Sequence, residues 1–562
     1  MCGIFSIFLK SAFHNKPEAY LENFKEAWCK GKSRGPESSV YNTEYLEDFR
    51  TIIGFHRLAI NGIDQISNQP IIIDDIVLIC NGEIYNYKGL YEELAINKNK
   101  IITNSDCEII IHMYLEYGIE YTLRQLDGVF AFTLYDFRNN NSPIACVARD
   151  PYGVRPLFIG SGPDYFGFSS EMKQLHAIDC TERIQQFSPS TFHEYTFSSS
   201  NQWLLTNETR YTTFAFYKQP FIRLHDKTMD NYLLGIRKTF INAVKKRVEN
   251  CERPIACLLS GGLDSSLVTS IVSKLYPMQV ETYSIGLEGS EDLKYAKKVA
   301  DFLDTKHTEL VISEDDFFQA IPEVIQAIES YDTTTVRASV GNYLVAKYIS
   351  NHSEAKVIFN GDGSDELTGG YLYFHAAPNS MHFDKECMRL LSNIHYFDVL
   401  RSDRTISCNG LEPRTPFLDR GWVQYYLSIP SIIRNHNNIY RNIHSIEKVL
   451  LRNAFDVESD IDFKPFLPKE ILWRKKEAFS DGVSSKSRSW YEIIQEKVEL
   501  LPEIEYNKSS NIHMQPNTKE QKYYFHLFNR FYQGRDDIIP YYWMPNFIEA
   551  TDASARTLSI YN

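Results

Sequence analysis

The segment Ser260-Gly-Gly-Leu-Asp-Ser-Ser266 constrains the fold of this 562-residue chain more than any other. It lies between an apolar run, Pro254–Leu259, and an amphipathic stretch, Ser265–Tyr276, and so predicts a strand, a tight loop and a helix in succession. Such a loop places backbone amides at a helix N-terminus, where they bind phosphate oxygens. Gly261 and Gly262 let the backbone approach a phosphate closely, Ser260, Ser265 and Ser266 add donors, and Asp264 can hold a magnesium ion. The lysine of a GxxxxGK[ST] loop is absent, and Gly31–Ser33, the chain's Gly-Lys-Ser, has Glu26 where that motif needs its first glycine. The plain alternative is a glycine-rich turn with a helix cap. Further strands and helices alternate through Val280–Ile285, Lys294–Asp304 and Val357–Phe359, which predicts a parallel sheet with crossover helices. After the last of these comes Asn360-Gly-Asp-Gly-Ser-Asp-Glu366, then Gly369-Gly370. Its carboxylates can complete a magnesium site or supply a base, or simply form an acidic turn. As a Rossmann fingerprint it fails, because Glu366 occupies the third glycine position.

The first ~200 residues read differently, as short β-runs punctuated by turns: Ile4–Leu9, Thr51–Leu58, Ile71–Cys80, Gly128–Tyr135, Ile144–Arg149 and Leu157–Gly160, with helical patterns at Pro17–Cys29 and Ser105–Tyr117. That is a sheet-rich α+β domain. A Ser/Asn/Thr-rich stretch from Thr196 to Lys218 without clear periodicity, followed by a helical pattern over Asp230–Val248, places a boundary between domains at 1–205 and 218–562. The last ~200 residues read as mostly helical and rich in aromatics.

Hydrophobic residues make up 43% and charged residues 23%, which excludes disordered, collagenous and coiled-coil classes. The net charge of −13, with no Lys/Arg-rich block, argues against a nucleic-acid or membrane surface as the main partner and leaves a small anionic substrate with a metal open. No apolar run approaches the ~18 residues of a membrane span. The N-terminus MCGIFSIFLK has neither a basic flank nor a small-residue cleavage site, so it reads as a buried strand rather than a signal peptide. Ten scattered cysteines without a CxxC pair give no disulfide framework and fit a reducing cytoplasm.

Cys2 is a candidate nucleophile. Removal of Met1 would leave it as the terminal residue, where its own α-amine, with a pKa near ~8, can take the thiol proton. Alone, such a cysteine reads as chance or as a small buried hydrophobe. Its company adds to the argument: Met-Cys-Gly-Ile, Arg34-Gly-Pro36, His56-Arg-Leu58, Asn81-Gly-Glu-Ile-Tyr-Asn86 and Ser105-Asp-Cys-Glu108 follow in this order. These strings resemble the class II glutamine amidotransferases, whose N-terminal-nucleophile fold of sandwiched β-sheets hydrolyses glutamine to glutamate and ammonia. Physically the roles are coherent. Arg57 can pair bidentately with the glutamine α-carboxylate, Asp106 and Glu83 can hold the α-ammonium, and the Asn81 side-chain amide with the Gly82 N–H can form the oxyanion hole. The resemblance adds Leu58 and Ile60 to the glutamine site. Each residue has a plain alternative: Arg57 a surface strand residue, Asp106 a helix cap, Asn81-Gly82 a hairpin turn.

The Ser260–Ser266 string resembles the pyrophosphate loop of the ATP pyrophosphatases, an α/β parallel-sheet fold of the adenine nucleotide alpha hydrolase type, which implies adenylation rather than phosphorylation. A glutaminase followed by such a domain with a helical C-terminal part resembles the glutamine-hydrolysing asparagine synthetases. The specific strings are Tyr331-Asp-Thr-Thr-Thr-Val-Arg-Ala-Ser339, Gly369-Gly-Tyr-Leu-Tyr-Phe-His375, Glu412-Pro-Arg-Thr-Pro-Phe-Leu-Asp419, Ile446-Glu-Lys-Val-Leu-Leu-Arg452 and Trp473–Val483, with Asn517-Thr-Lys-Glu520 and Ala550-Thr-Asp-Ala-Ser554 in the tail. The resemblance implies that aspartate attacks the α-phosphorus of ATP and that ammonia from the first site then displaces AMP. Ser260 to Ser266 would hold pyrophosphate, Asp264 and Asp365 magnesium, and Leu259, Ile285, Asn360 and Gly361 the nucleoside. Lys448, read as lying on a helix that turns it toward the site, would neutralise the phosphorus transition state, and would otherwise be an exposed helix lysine. Thr334 and Arg337 would lie near the aspartyl adenylate; Arg337 could otherwise be a structural ion pair. Asp362 stands where some members have Glu, at a position that would take the proton of attacking ammonia, and Asn360 replaces the usual serine. Ammonia that escaped to water would be lost as ammonium, so the chemistry requires a dry passage between sites. The implied ligands are glutamine, aspartate and ATP with Mg2+; the family commonly pairs its subunits, which admits a homodimer. The alternatives are a relative acting on another carboxylate, an enzyme favouring free ammonia, and a non-catalytic protein, which intact Cys2, Asp264 and Lys448 argue against.

Overall fold

The computed structural model describes residues 1–10, 18–213, 229–436, 446–457, 465–475, 482–485, 488–502 and 514–554. Residues 214–218 of the expected inter-domain stretch and residues 476–481 of the Trp473–Val483 string lie outside them. The chain divides into two compact units: Met1–Thr213 with Asn250–Arg253 and Ser407–Glu412, and Phe214–Glu249 with Pro254–Ile406 and Pro413–Asn562.

The first unit has two six-stranded antiparallel sheets. One has the order β10-β8-β9-β1-β3-β2, built from β1 (Gly3–Leu9), β2 (Ser38–Asn42), β3 (Thr51–Arg57), β8 (Phe158–Ser161), β9 (Tyr165–Ser169) and β10 (Arg183–Gln186). The other has the order β12-β11-β7-β6-β5-β4, from β4 (Ile71–Ile73), β5 (Ile76–Ile84), β6 (Gly128–Asp136), β7 (Ile144–Arg149), β11 (Thr191–Phe197) and β12 (Trp203–Arg210). Ile4, Phe8, Ile53 and Phe55 of the first sheet pack on Val77, Ile79, Ala131 and Val147 of the second. Alternate residues of β5 and β6 point to the opposite face, where Leu78, Cys80, Phe130 and Phe132 pack against helix α2 (Ile109–Gln125). Burial on both faces explains why Ile76–Cys80 reads as a continuous apolar run. Helix α1 (Glu18–Cys29) also belongs to this unit.

Two segments differ from the sequence reading. The run Ile71–Cys80 is a hairpin, because Asp74 and Asp75 both adopt left-handed φ of 48° and 61° and pair Ile73 with Ile76. Two consecutive positive φ angles match the twist of a two-residue hairpin turn, and aspartate tolerates them. The stretch from Thr196, which showed no periodicity, carries the end of β11 and all of β12. Strand β12 is an edge strand exposed along most of its length, so no buried face imposes an alternation on its sequence.

The second unit has a sheet of order β15-β14-β13-β16-β17, from β13 (Ile255–Leu258), β14 (Glu281–Gly286), β15 (Lys306–Val311), β16 (Val357–Phe359) and β17 (Glu412–Arg414). Strands β13 to β16 run parallel. Cys257 pairs with Phe359, so the loops leaving β13 and β16 emerge side by side at the C-terminal edge, where open α/β sheets bind ligands. The helices of the site are α4 (Leu263–Leu275), α5 (Glu291–Leu303), α6 (Thr333–His352), α7 (Ser364–Thr368), α8 (Asp398–Ser407) and α9 (Val449–Phe455), after the long α3 (Met229–Glu249). Helices α10 (Trp490–Glu499) and α11 (Lys519–Phe531) follow toward the C-terminus. Among the described residues no helix is long and apolar enough to cross a membrane.

Candidate active sites

In the first unit Cys2 immediately precedes the central strand β1. Its Sγ donates to the Leu58 carbonyl at 3.6 Å, and its own carbonyl accepts from Arg34 Nε at 2.9 Å. Burial pushes the thiol up from its ordinary value, so it needs a base to ionise. Asn81 and Gly82 are not a turn. They lie within β5, opposite Ala131 and Phe130. Asn81 is fully buried, yet neither its Oδ1 nor its Nδ2 has a hydrogen-bond partner among the described residues. A buried amide left unpaired costs about 1–3 kcal/mol. A side chain at Gly82 would meet the Val129 carbonyl at 2.6 Å, so only glycine keeps this strand seated on β6.

Glu83 and Asp106 converge through Asn250, whose Nδ2 donates to Glu83 Oε2 at 3.1 Å and Asp106 Oδ2 at 3.4 Å. Asp106 also accepts from the Ile84 amide at 2.6 Å; the helix cap at this turn is Ser105, not Asp106. Arg57 is buried at the end of β3. Its guanidinium holds the following loop, donating to the Asp64 carbonyl at 2.9 Å, Asn68 Oδ1 at 2.6 Å and the Gly62 carbonyl. Leu58 and Ile60 are buried in the same segment. Sequence reasoning missed Asn250 and Asn61, which also donates to Glu83. Asn250 lies nearly 170 positions beyond Glu83, and no local pattern signals such a contact.

In the second unit the Ser260–Ser266 loop opens α4 with Gly262 at the N-cap and no side-chain cap, which leaves first-turn amides for an anion. Gly261 has φ +71°, and a Cβ there would lie 2.4 Å from the Ala296 amide nitrogen. Ser260 Oγ and Ser265 Oγ lie 2.9 Å apart, and the buried Ser266 hydroxyl has no partner among the described residues. Asp264 accepts from Ser364 Oγ at 2.8 Å and pairs with Lys448, which also lies 2.6 Å from Asp365. Lys448 is not on the helix face that the sequence suggested. It is the left-handed residue, φ +58°, that precedes α9, and this conformation turns its buried side chain onto the two carboxylates.

A cleft lined by Leu259, Ser260, Asp264, Ile285, Thr334, Asn360, Gly361 and Asp362 runs along the C-terminal ends of β13, β14 and β16. Asp362 Oδ1 accepts from Arg401 Nη2 at 2.9 Å, while its buried Oδ2 has no partner among the described residues. Burial opposes the charge of Arg401, but the Asp362 and Asp398 carboxylates hold its pKa well above the ordinary value. Deeper in the cleft, burial and then the Asp398 carboxylate push Glu366 well up, and its Oε1 accepts from the Tyr371 hydroxyl. On the other side of the loop a smaller recess shares Ser260, Asp264 and Ser265 and is ringed by Lys448, Arg452, Arg474 and Lys475. Arg474 donates to the Gly261 carbonyl at 3.1 Å and stacks 3.9 Å from the Tyr295 ring. Arg401 and Arg474 were not foreseen, since each reaches the site from a distant helix or loop. Arg337 does not line the cleft; its donors go to Glu520 and Asp552.

Residues 1–214 match the model of the glutamine amidotransferase domain, and residues 235–385 and 378–506 match that of asparagine synthase. These matches define a glutamine-dependent amidotransferase joined to a synthetase. The chain is 40% identical to the glutamine-hydrolysing asparagine synthetase of Gallus gallus, covering 100% of this chain and 99% of that one. It is 41% identical to that of Homo sapiens, with 94% of each covered. The chain belongs to the glutamine-hydrolysing asparagine synthetases. Among solved structures, the glutamine phosphoribosylpyrophosphate amidotransferase from B. subtilis superposes with a TM-score of 0.31 at 13% identity, covering 55% of this chain and 91% of that one.

Proposed function

We propose that the chain makes asparagine from aspartate, glutamine and ATP, with Cys2 hydrolysing glutamine and the second unit activating aspartate as β-aspartyl-AMP. Once Met1 is removed, the Cys2 α-amine accepts the thiol proton and the thiolate attacks the glutamine amide carbon. The tetrahedral oxyanion is met by the Asn81 Nδ2 and the Gly82 N–H, Arg57 takes the α-carboxylate, and Glu83 and Asp106 take the α-ammonium. Leu58 and Ile60 line the side of that pocket.

In the second unit the nucleoside lies against Leu259, Ile285, Asn360 and Gly361, and the α-phosphorus is attacked by the aspartate β-carboxylate. Pyrophosphate leaves onto the amides and hydroxyls of Ser260–Ser266, with Lys448 neutralising the charge that develops. Asp264 and Asp365 suit magnesium, which takes one or two carboxylates and otherwise phosphate and water oxygens, and which neutralises polyphosphate charge when bound. Asp362, held in place by Arg401, takes the proton of ammonia as it displaces AMP. Thr334 faces the adenylate. All ten cysteines are free, which suits a reducing cytoplasm, and the family's habit of pairing subunits supports a homodimer.

The observation that carries the reading is Lys448: a buried cation far along the chain lies on both Asp264 and Asp365, beside the phosphate loop. The test follows AMP, pyrophosphate and asparagine with glutamine or ammonium as donor. Cys2→Ala is expected to lose the glutamine-dependent rate and keep the ammonium-dependent one; loss of both, or of neither, overturns the two-site assignment.

A further inference from the structure

The tail string Asn517–Glu520 and the string Ala550–Ser554 lie far from the cleft in sequence, yet the structure joins both to one residue. Glu520, in the first turn of α11, accepts from Arg337 Nε at 2.8 Å and Nη2 at 2.6 Å. Asp552 accepts from Arg337 Nη1 at 2.7 Å and Nη2 at 2.8 Å. The guanidinium is buried and lies over the Tyr491 ring at 4.8 Å. Arg337 is thus held on both edges by the C-terminal part of the chain, one turn along α6 from Thr334.

Two more contacts reach the same turn. The Trp543 amide donates to Asp332 Oδ1 at 2.7 Å, while Asp332 Oδ2 caps α6 through the Thr335 amide at 2.8 Å. The Tyr331 hydroxyl donates to the Asp536 carbonyl at 2.6 Å. The Trp543 ring also packs 5.2 Å from Tyr371, which lines the cleft and donates to Glu366. Residues 536–552 therefore grip 331 and 332, just before α6, and 337 within it, and Thr334 lies between the grips. Thr334 lines the cleft, and its buried hydroxyl has no partner among the described residues.

We infer that Glu520 and Asp552 are positioning residues for the synthetase reaction: by clamping Arg337 from both sides they fix the first turn of α6, and so the Thr334 hydroxyl, against the bound aspartyl group. The inference rests on the synthetase reading above. A charge-assisted, two-sided clamp is rigid because a guanidinium fork admits few geometries. Displacing the Thr334 hydroxyl by even ~1 Å would weaken substrate alignment.

The experiment uses the full chain with ammonium as nitrogen donor, so that the glutamine site is not in the measured path. Asp552→Asn, Asp552→Glu and Glu520→Gln are compared with wild type for kcat and KM toward aspartate and ATP by AMP release, for glutamine hydrolysis, and for thermal midpoint. Asp552→Asn and Glu520→Gln are expected to raise the aspartate KM about tenfold or more, more than they change the ATP KM, with glutamine hydrolysis within about twofold of wild type. Asp552→Glu is expected to recover most of the loss, because it restores the charge. Wild-type kinetics in Asp552→Asn and Glu520→Gln would overturn the inference, as would synthesis and glutamine hydrolysis falling together in step with the thermal midpoint. A wild-type protein that releases no AMP with aspartate overturns the synthetase reading itself, and the inference with it.

Discussion

Asn81 shows how a single residue can be stored at a cost. Its amide is sealed inside β5 with no partner, so removing it gives up no hydrogen bond of the resting fold. Asn81→Ala is therefore expected to leave the thermal midpoint within a few degrees of wild type and to lower kcat for glutamine hydrolysis by about 10²–10³, the usual effect of losing one oxyanion donor. A steady-state assay beside a melting curve checks both halves. If the variant melts early and hydrolyses glutamine normally, Asn81 is a packing residue. The residue's identity and motif were legible in the sequence, but its unsatisfied state was not, because satisfaction depends on β6 and on what surrounds the strand.

At the scale of elements, the loop after β13 was readable because a phosphate loop needs glycine, small donors and a helix in immediate succession, all within seven residues. Lys448 was readable as a residue but misplaced: its left-handed φ ends one segment before α9 begins, and nothing local distinguishes that from a first helical turn. Contacts made across the fold, such as Arg401 on Asp362 or Arg474 on Gly261, leave no local trace. The loop also yields a prediction. Gly261→Ala would combine φ +71° with a Cβ 2.4 Å from backbone of α5, and a misfit of that kind costs more than about 1 kcal/mol. The expected outcome is a raised ATP KM in ammonium-dependent synthesis with glutamine hydrolysis retained; an unchanged ATP KM would show that the loop tolerates the methyl group without moving.

For the molecule as a whole, acid stability follows from carboxylates that each unit buries. Burial raises Glu108, but hydrogen bonds from His112, Thr103 and neighbouring amides hold its pKa below the ordinary 4.5. Burial likewise raises Asp419, and Arg247 and Lys246 hold it below 3.8. A carboxyl depressed in the folded state stabilises the fold fully above its ordinary value and loses that contribution as pH falls through its folded value. These two groups are expected to make the thermal midpoint fall as pH drops below about 4; a midpoint that stayed level or rose below pH 4 would contradict the assignment of these contacts.

The first unit is not a continuous stretch of chain. Residues 250–253 and 407–412 belong to it, and from them Asn250 joins Glu83 to Asp106, while Ser407 accepts from Arg34 Nη1 at 2.8 Å, the residue that also holds the Cys2 carbonyl. Synthesis runs from N- to C-terminus, so the pieces arrive out of step. About 200 residues must be translated between Thr213 and Glu412, which at ~5–20 residues per second takes roughly 10–40 s. Through that interval a ribosome-bound chain has Cys2 and both sheets of the first unit but lacks residues 407–412. Ser407 thus reaches Arg34, and the contact behind the Cys2 carbonyl closes, only after four of the five strands of the second unit's sheet have been made.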